Sequence, residues 1–425
     1  MKILHLSAEC YPAAKAGGLA DVVGSLPKYL VEEGIDAPVV IPKYGTEWIE
    51  NHRFKTVFEG TAPLGDDAFE FRIQREAKNL LGFPFYVVDI PKYFSGAEIY
   101  PGNFASERFT CFQIAVLEWL NYTAERPDII HCHDHHTGLT PFMLTQSFRY
   151  DGMKHIPTVF TVHNAEYQGI FNLNKSELLP DFNQQKIGLL DWDQKLNCLA
   201  AGLKSCWKIT TVSPSYMQEL SQESSGLEWL FQNEQQKSKG ILNGIDEQVW
   251  NPATDDFITR NYSHDDVAKG KAKNKKTLCK QFGLNPGYPT ISYIGRLARE
   301  KGADLLPDLF QALLESPEKV NFIVLGTGDP ELHQRFREMS DQYVGFFDAA
   351  LDYNEPLAHQ VYAGSDFMVM PSRVEPCGLN QMYAMRYGSV PIVRNTGGLK
   401  DTVKDISRGE GSGIKFNDFT LESAV

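Results

Sequence analysis

The sequence lacks several features that would place it quickly. No apolar run approaches the about 20 residues that cross a bilayer, so no membrane-spanning helix is expected. CxxC pairs are absent: Cys10, Cys111, Cys132, Cys198, Cys206, Cys279 and Cys377 are scattered and odd in number, which argues against a disulfide framework and a thiolate zinc site. Basic charge is in short supply. A net charge of −13 excludes the broad positive surface that nucleic acid rewards, so any anionic ligand must be held by local cations. Neither GxGxxG nor GxxxxGK[ST] occurs, which disfavours a dinucleotide dehydrogenase and a P-loop phosphotransferase. The N-terminus carries no small-residue cleavage pattern of a signal peptide, and scattered thiols suit a reducing compartment; a cytoplasmic protein is expected. No repeat or low-complexity tract interrupts the chain.

What is present begins with the first thirty residues. Lys2 to Ala8 alternates polar and apolar residues as a strand does, and Leu19, Val22, Val23, Leu26 and Leu30 recur on one helical face. Lys15, Gly17 and Gly18 therefore sit at a strand-to-helix turn. Glycines let a backbone approach a ligand, and free N–H groups at a helix start receive an anion, so the stretch has the outline of a phosphate seat. The plainer reading is a tight turn with a solvated lysine. Pro27 removes the helical donor for the Val23 carbonyl, and a kink or restart near Ser25 is expected.

Short β-branched runs then alternate with helical stretches: 37–42, 85–90, 129–133, 158–164, 208–213 and 240–245. This pattern gives a parallel sheet covered on both faces, an α/β domain over residues 1–245. A looser stretch, 246–289, reads as a hinge and one connecting helix, with its lysine-rich run on a solvated face. The alternation restarts at 290–295, 321–326, 344–347, 366–372, 390–394 and 413–416, a second α/β domain over 290–425. A helix beginning at Thr420 stops at Val425, which reads as a C-terminal truncation.

Strands of the second half end in GRLAREKG, GTGDP, SRVEPCGL and NTGGL. Ligands of open parallel sheets bind beyond the carboxyl ends of strands, so these segments should converge. Arg296 and Lys301 flank one turn and, with Lys15, supply three cations for a diphosphate if the two domains close. In HCHDHH, His131 and His133 share a strand face and with Asp134 offer zinc ligands, but no second ligand cluster appears and a hydrogen-bonding role at the strand end is favoured. His163 ends another strand. Cys377, before a helix, is a candidate nucleophile with a lowered thiol pKa, while Glu375 suits a nucleophile, a base or a hydroxyl acceptor.

In combination, KAGGLADVVGSLPK, HCHDHHTGL, TVHNAEYQG, TTVSPSYMQEL, ILNGIDEQVWNP, GRLAREKG, GTGDP, PSRVEPCGLNQMYAMRYG and RNTGGLKDTV occur in one order. The chain resembles, over nearly its whole length, the glycogen and starch synthases of bacterial and plant type. The resemblance implies a GT-B fold, two Rossmann-like α/β domains with parallel sheets facing across a cleft. It implies glucose transfer from ADP-glucose or UDP-glucose, the former favoured, to the non-reducing end of an α-1,4-glucan with retention. No cofactor or metal is implied.

Carried onto matching positions, Lys15 and the Gly18 backbone look like donor contacts, and Arg296 and Lys301 like the diphosphate cations. Thr396 and Gly397 lie beside the phosphates, Tyr353 stacks on the base, and Glu375, Cys377 and Gly378 surround the glucose hydroxyls. His163 lies near the glucose 6-hydroxyl, Asp134 and Asn243 elsewhere in the sugar site, and Tyr93 on the acceptor side. Attack on the face that the diphosphate leaves is favoured over double displacement through Glu375. HDHH stands where the family has HDWH, Ala16 where Thr or Val is common, and the family's C-terminal crossing helix is missing. Another acceptor, a non-catalytic glucan-binding paralogue and a nucleotide-sugar epimerase are the competing readings; a hydrolase is disfavoured for want of a second carboxylate motif.

Overall fold

The computed structural model describes residues 1–102, 105–123 and 126–425. They form two compact units, Met1–Val212 with Met217–Ile241 and Ser213–Tyr216 with Leu242–Val425.

The first unit is built on a nine-stranded sheet. Its strands in chain order are β1 (Ile3–Leu6), β2 (Val39–Pro42), β3 (Phe54–Leu64), β4 (Asp67–Glu76), β5 (Phe85–Asp89), β6 (Ile129–His133) and β7 (Thr158–Val162). Three short strands, β8 (Ile170–Asn172), β9 (Asp191–Trp192) and β10 (Lys195–Asn197), make a separate antiparallel sheet. The large sheet is completed by β11 (Lys208–Thr211) and β12 (Ser238–Gly240), in the order β12-β11-β7-β6-β1-β2-β5-β4-β3. All neighbours pair in parallel except the β5-β4-β3 edge. Leu6, Val40 and Phe160 are fully buried, and each such side chain contributes about 1.5–3 kcal/mol.

The expected run 240–245 is not a strand: β12 lies earlier, at 238–240, because it is Ser238 to Gly240 that pair with Ile209 to Thr211 of β11. The helix Gly18–Glu32 runs through Pro27 without a restart near Ser25. Its orphaned Val23 carbonyl accepts instead from the Cys10 thiol at 3.7 Å, and Ser25 Oγ donates to the Asp21 carbonyl at 2.7 Å.

The second unit carries β13 (Thr290–Ile294), β14 (Asn321–Leu325), β15 (Phe347–Ala350), β16 (Phe367–Met370), β17 (Val390–Arg394) and β18 (Ile414–Phe416). They form an all-parallel sheet in the order β15-β14-β13-β16-β17-β18. β15 starts three residues later than the run 344–347, since Gly345, with φ +90°, turns the chain before Phe347 can pair with Phe322. Residues 246–289 pack into this unit. Asp255 accepts from the Tyr387 hydroxyl and pairs with His359 Nδ1 at 2.7 Å. In the helix Val267–Gln281, Lys269, Lys273 and Lys276 are exposed as expected, but Lys271 Nζ donates to the carbonyls of Tyr362, Ala363 and Tyr387 and Lys275 pairs with Asp366. Among the described residues no helix is long and apolar enough to cross a membrane.

In both sheets strand order reverses beside the first strand, between β1 and β6 and between β13 and β16. Connections leave in opposite directions there, which opens a crevice at the carboxyl ends of the strands.

Candidate active site

The crevice of the first unit is bordered by the segment after β1 and the segment after β6. The N–H groups of Ala16 and Gly17 point at an anion, but that anion is the protein's own: Glu9 Oε2 accepts from them at 2.6 and 2.8 Å. Glu9 Oε1 accepts from the Tyr100 hydroxyl. The carboxylate is 3% exposed, and burial raises its pKa against the lowering effect of those three donors. Lys15 Nζ pairs with Asp21 at 2.8 Å and lies 5.0 Å from the Tyr11 ring centroid. Glu9 escaped the sequence reading, and its spacing of eight residues from Gly17 was the only available signal.

Asp134 follows β6 with φ +57°, a left-handed conformation that costs a non-glycine residue about 1–3 kcal/mol and is held only where surroundings impose it. Its Oδ1 accepts the backbone N–H of His163 at 2.7 Å and of Asn164 at 3.4 Å. Burial pushes the carboxyl up to about 7, with those two donors opposing. Among the described residues the ligand atoms that come together are those of His5, His131 and His133, without Asp134. Asp134 and His163 are thus brought together, by a carboxylate on one strand end and a backbone on the next. Burial lowers His163 to about 3, so its imidazole is neutral at physiological pH. Tyr93 stands apart on the short helix Pro91–Phe94, 7% exposed, with the Lys92 ammonium 5.1 Å from its ring.

In the second unit the loops after β13, β14, β16 and β17 converge. Leu297 bridges to Gly328, and Asn380 Nδ2 donates to the Ile294 carbonyl at 2.7 Å. Glycine is required at two of these contacts: a Cβ on Gly326 would stand 1.9 Å from the Gly295 oxygen, and one on Gly398 2.2 Å from the Cys377 oxygen. Arg296 and Lys301, beyond β13, are both paired. Arg296 Nη2 lies 2.6 Å from Glu300 Oε1, and Lys301 Nζ 2.7 Å from Glu375 Oε1. Glu375 Oε2 accepts from Ser372 Oγ at 2.9 Å, leaving the carboxylate 5% exposed with both oxygens engaged.

Cys377 corrects an expectation. Burial pushes its thiol up to about 12, opposed by a bond from the Asn243 backbone, so the group is protonated and no nucleophile at neutral pH. The sequence suggested a helix N-terminus that would lower it, but the helix starts only at Asn380 and the thiol is 4% exposed. Asn243 and Cys377 are therefore neighbours, as are Glu375 and Gly398, whose N–H donates to the Glu375 carbonyl at 2.9 Å. Gly378 has φ +73°. Thr396 occupies the residue before the helix Gly397–Thr402, without a side-chain capping bond. Tyr353, beyond β15, is 67% exposed and donates its hydroxyl to Glu355 at 2.9 Å.

Comparison with known proteins identifies the family. Residues 2–233 match the starch synthase catalytic domain family, and residues 274–418 match glycosyl transferases group 1. The chain is 49% identical to a glycogen synthase of Flavobacterium johnsoniae over 415 residues, covering 97% of this chain and 88% of the relative. It is 39% identical to a glycogen synthase of Geobacillus stearothermophilus, covering 100% of this chain and 89% of the relative. The catalytic domain of starch synthase IV from Arabidopsis thaliana, bound to ADP and acarbose, superposes with a TM-score of 0.90 at 31% identity, covering 99% of this chain and 89% of that one.

Proposed function

The chain belongs to the glycogen and starch synthases, glucosyltransferases of GT-B fold, and we propose that it transfers glucose from ADP-glucose to the non-reducing end of an α-1,4-glucan with retention. The observation that carries this reading is the pair Arg296 and Lys301 at the switch point of the second sheet, each held by a carboxylate that an incoming diphosphate can replace. At an effective dielectric near 20, a charge pair at about 4 Å is worth roughly 4 kcal/mol before desolvation. Exchanging Glu300 and Glu375 for phosphate oxygens therefore sets cations where the leaving group gains charge.

Retention is assigned to attack on the face that the diphosphate leaves, with a phosphate oxygen taking the acceptor proton. Glu375 has both oxygens occupied, which supports an orienting role on the glucose hydroxyls rather than a nucleophilic one. Cys377, Gly378, Thr396, Gly397 and Asn243 complete the donor side of the second unit, and Tyr353 stacks on the base. His163 and Asp134 are the first unit's proposed contacts to the transferred sugar, and Tyr93 its proposed acceptor contact. ADP-glucose is preferred because the starch synthase IV domain was solved with ADP. UDP-glucose is the runner-up, since Tyr353 stacks on either base. Initial rates with both donors on a short maltooligosaccharide decide it: faster elongation from UDP-glucose sinks the assignment, and nucleotide release without elongation points to another acceptor.

Lys15 and the Gly18 backbone are the first unit's proposed donor contacts. Lys15→Ala is expected to lower kcat/KM for the donor about tenfold or more, the worth of one charge-assisted contact, while the dissociation constant of free ADP changes far less. Equal losses in steady-state rates and in ADP titration would remove Lys15 from the donor site.

A further inference from the structure

Three imidazoles stand in line across the first sheet, from β1 through β6 to the residue after β7. His5 Nδ1 lies 3.2 Å from His133 Nε2, and His133 Nδ1 lies 2.9 Å from His163 Nε2. His131 lies beside this line: it stacks on His133 with ring centroids 4.2 Å apart and spends its Nε2 on Thr161 Oγ1 at 2.6 Å. His5, His131 and His133 can also bring one nitrogen each within 4.8 Å of one another. Their geometry is that of packed rings, since His133 is nearly parallel to His131 and His5, at 24° and 19°, and each of its nitrogens already meets an imidazole.

We propose that His5 and His133 are positioning residues that fix the tautomer of His163, so that His163 presents Nδ1–H as a hydrogen-bond donor to the 6-oxygen of the transferred glucose. This rests on the reading that His163 faces that sugar.

Burial lowers all three groups, His163 to about 3 and the other two well below their usual value, so each ring is neutral with one N–H and one lone pair. A line of neutral imidazoles has only two continuous proton arrangements. In one, His163 Nε2–H donates inward, His133 Nε2–H donates to His5 Nδ1, and His5 carries its proton on Nε2. In the other, His5 Nδ1–H donates to His133, His133 Nδ1–H donates to His163, and His163 keeps its proton on Nδ1. His5 Nε2 decides between them, because it is buried with no hydrogen-bond partner among the described residues. The first arrangement strands an N–H there and the second only a lone pair. Orphaned N–H groups are the rarer and costlier of the two in protein interiors, so the line runs outward from His5. The interior thus sets the hydrogen-bonding sense of a residue at the crevice.

Nitrogen-15 NMR of histidine-labelled full-length protein, with His163 assigned by its loss in His163→Gln, reads the tautomer directly. Protonation on Nδ1 is expected in the wild type and in His133→Asn, whose amide keeps a donor where Nδ1 was, and a mixture is expected in His133→Leu. An Nε2–H tautomer in the wild type overturns the proposal whatever the rates. In elongation assays the wild type should use a 6-deoxyglucose donor about tenfold less well than the natural one, and a 6-fluoro donor, which only accepts, should recover part of that loss. His133→Leu should erase most of the discrimination while His133→Asn retains it; rates that fall together with the ratio preserved make His133 merely structural and overturn the proposal. An Nδ1–H tautomer with no discrimination at the 6-position refutes the placement of His163 at the sugar instead.

Discussion

Lys301→Ala is expected to lower kcat for glucan elongation by about 10²–10³-fold, the usual cost of deleting one preorganised group that meets charge developing in the transition state. Lys301 is a three-donor point charge 2.7 Å from Glu375, and its loss has two consequences that separate experimentally. The diphosphate loses a cation, which appears in turnover more than in donor KM, because the charge on the leaving group grows as the bond breaks. Glu375, 5% exposed, also loses its counter-ion. A buried carboxylate without a partner costs about 1–3 kcal/mol, so the melting temperature should fall as well. Lys301→Ala combined with Glu375→Gln removes the stranded charge and should recover the melting temperature without recovering turnover. If the double variant regained activity, Lys301 would serve only to neutralise Glu375, and the diphosphate would have to be held by other groups. Arg296→Ala gives the milder comparison, because its partner Glu300 is four residues away on the same turn and more exposed.

Sheet and site were unequally legible in the sequence, for reasons that particular residues make plain. β6 and β17 match their expected runs residue for residue, because Ile129–Ile130 and Ile392–Val393 mark each strand locally. The β3–β4 hairpin was missed because it forms the sheet edge, where Phe54–Leu64 is exposed or half-buried except at Ala62 and Leu64 and carries Gly60 and Pro63. The polar loops after the strands were visible as glycine-rich breaks, and Arg296, Lys301 and Glu375 with them. What occupies those groups was not. Glu9 reads as an ordinary solvent residue until Tyr100, 91 positions later, is folded over it. His5 reads as one polar position in an alternating strand, and its partner His133 lies 128 residues away. Such pairs are made by sheet order, which no local window contains. Cys377 failed in the opposite way: a local cue, the coming helix, pointed to a reactive thiol, and burial overruled it.

Glu375→Gln distinguishes the two routes to retention. Gln keeps the shape and can offer its one oxygen to Lys301 while its amide N–H donates to Ser372 Oγ, so in same-face attack the loss comes from weaker orientation of the glucose and should be about 10–100-fold in kcat. In double displacement the carboxylate is the nucleophile, the glucosyl bond forms on one of its oxygens, and removing it should cost about 10⁴-fold or more. Geometry favours the smaller loss. A nucleophilic oxygen needs a free lone pair aimed at the anomeric carbon, whereas Oε1 is held by an ammonium at 2.7 Å and Oε2 by a hydroxyl at 2.9 Å. Lys301 cannot leave Glu375 for the diphosphate without Glu375 finding other donors, for which the glucose hydroxyls are suited. Azide supplied to Glu375→Ala is the decisive probe. Rescue with formation of a β-glucosyl azide, or a glucosyl adduct on Glu375 in intact-mass spectra of the wild type, would establish double displacement. Absence of both, with the modest loss in Glu375→Gln, leaves the leaving diphosphate as the base and Lys301 as the group that holds its charge.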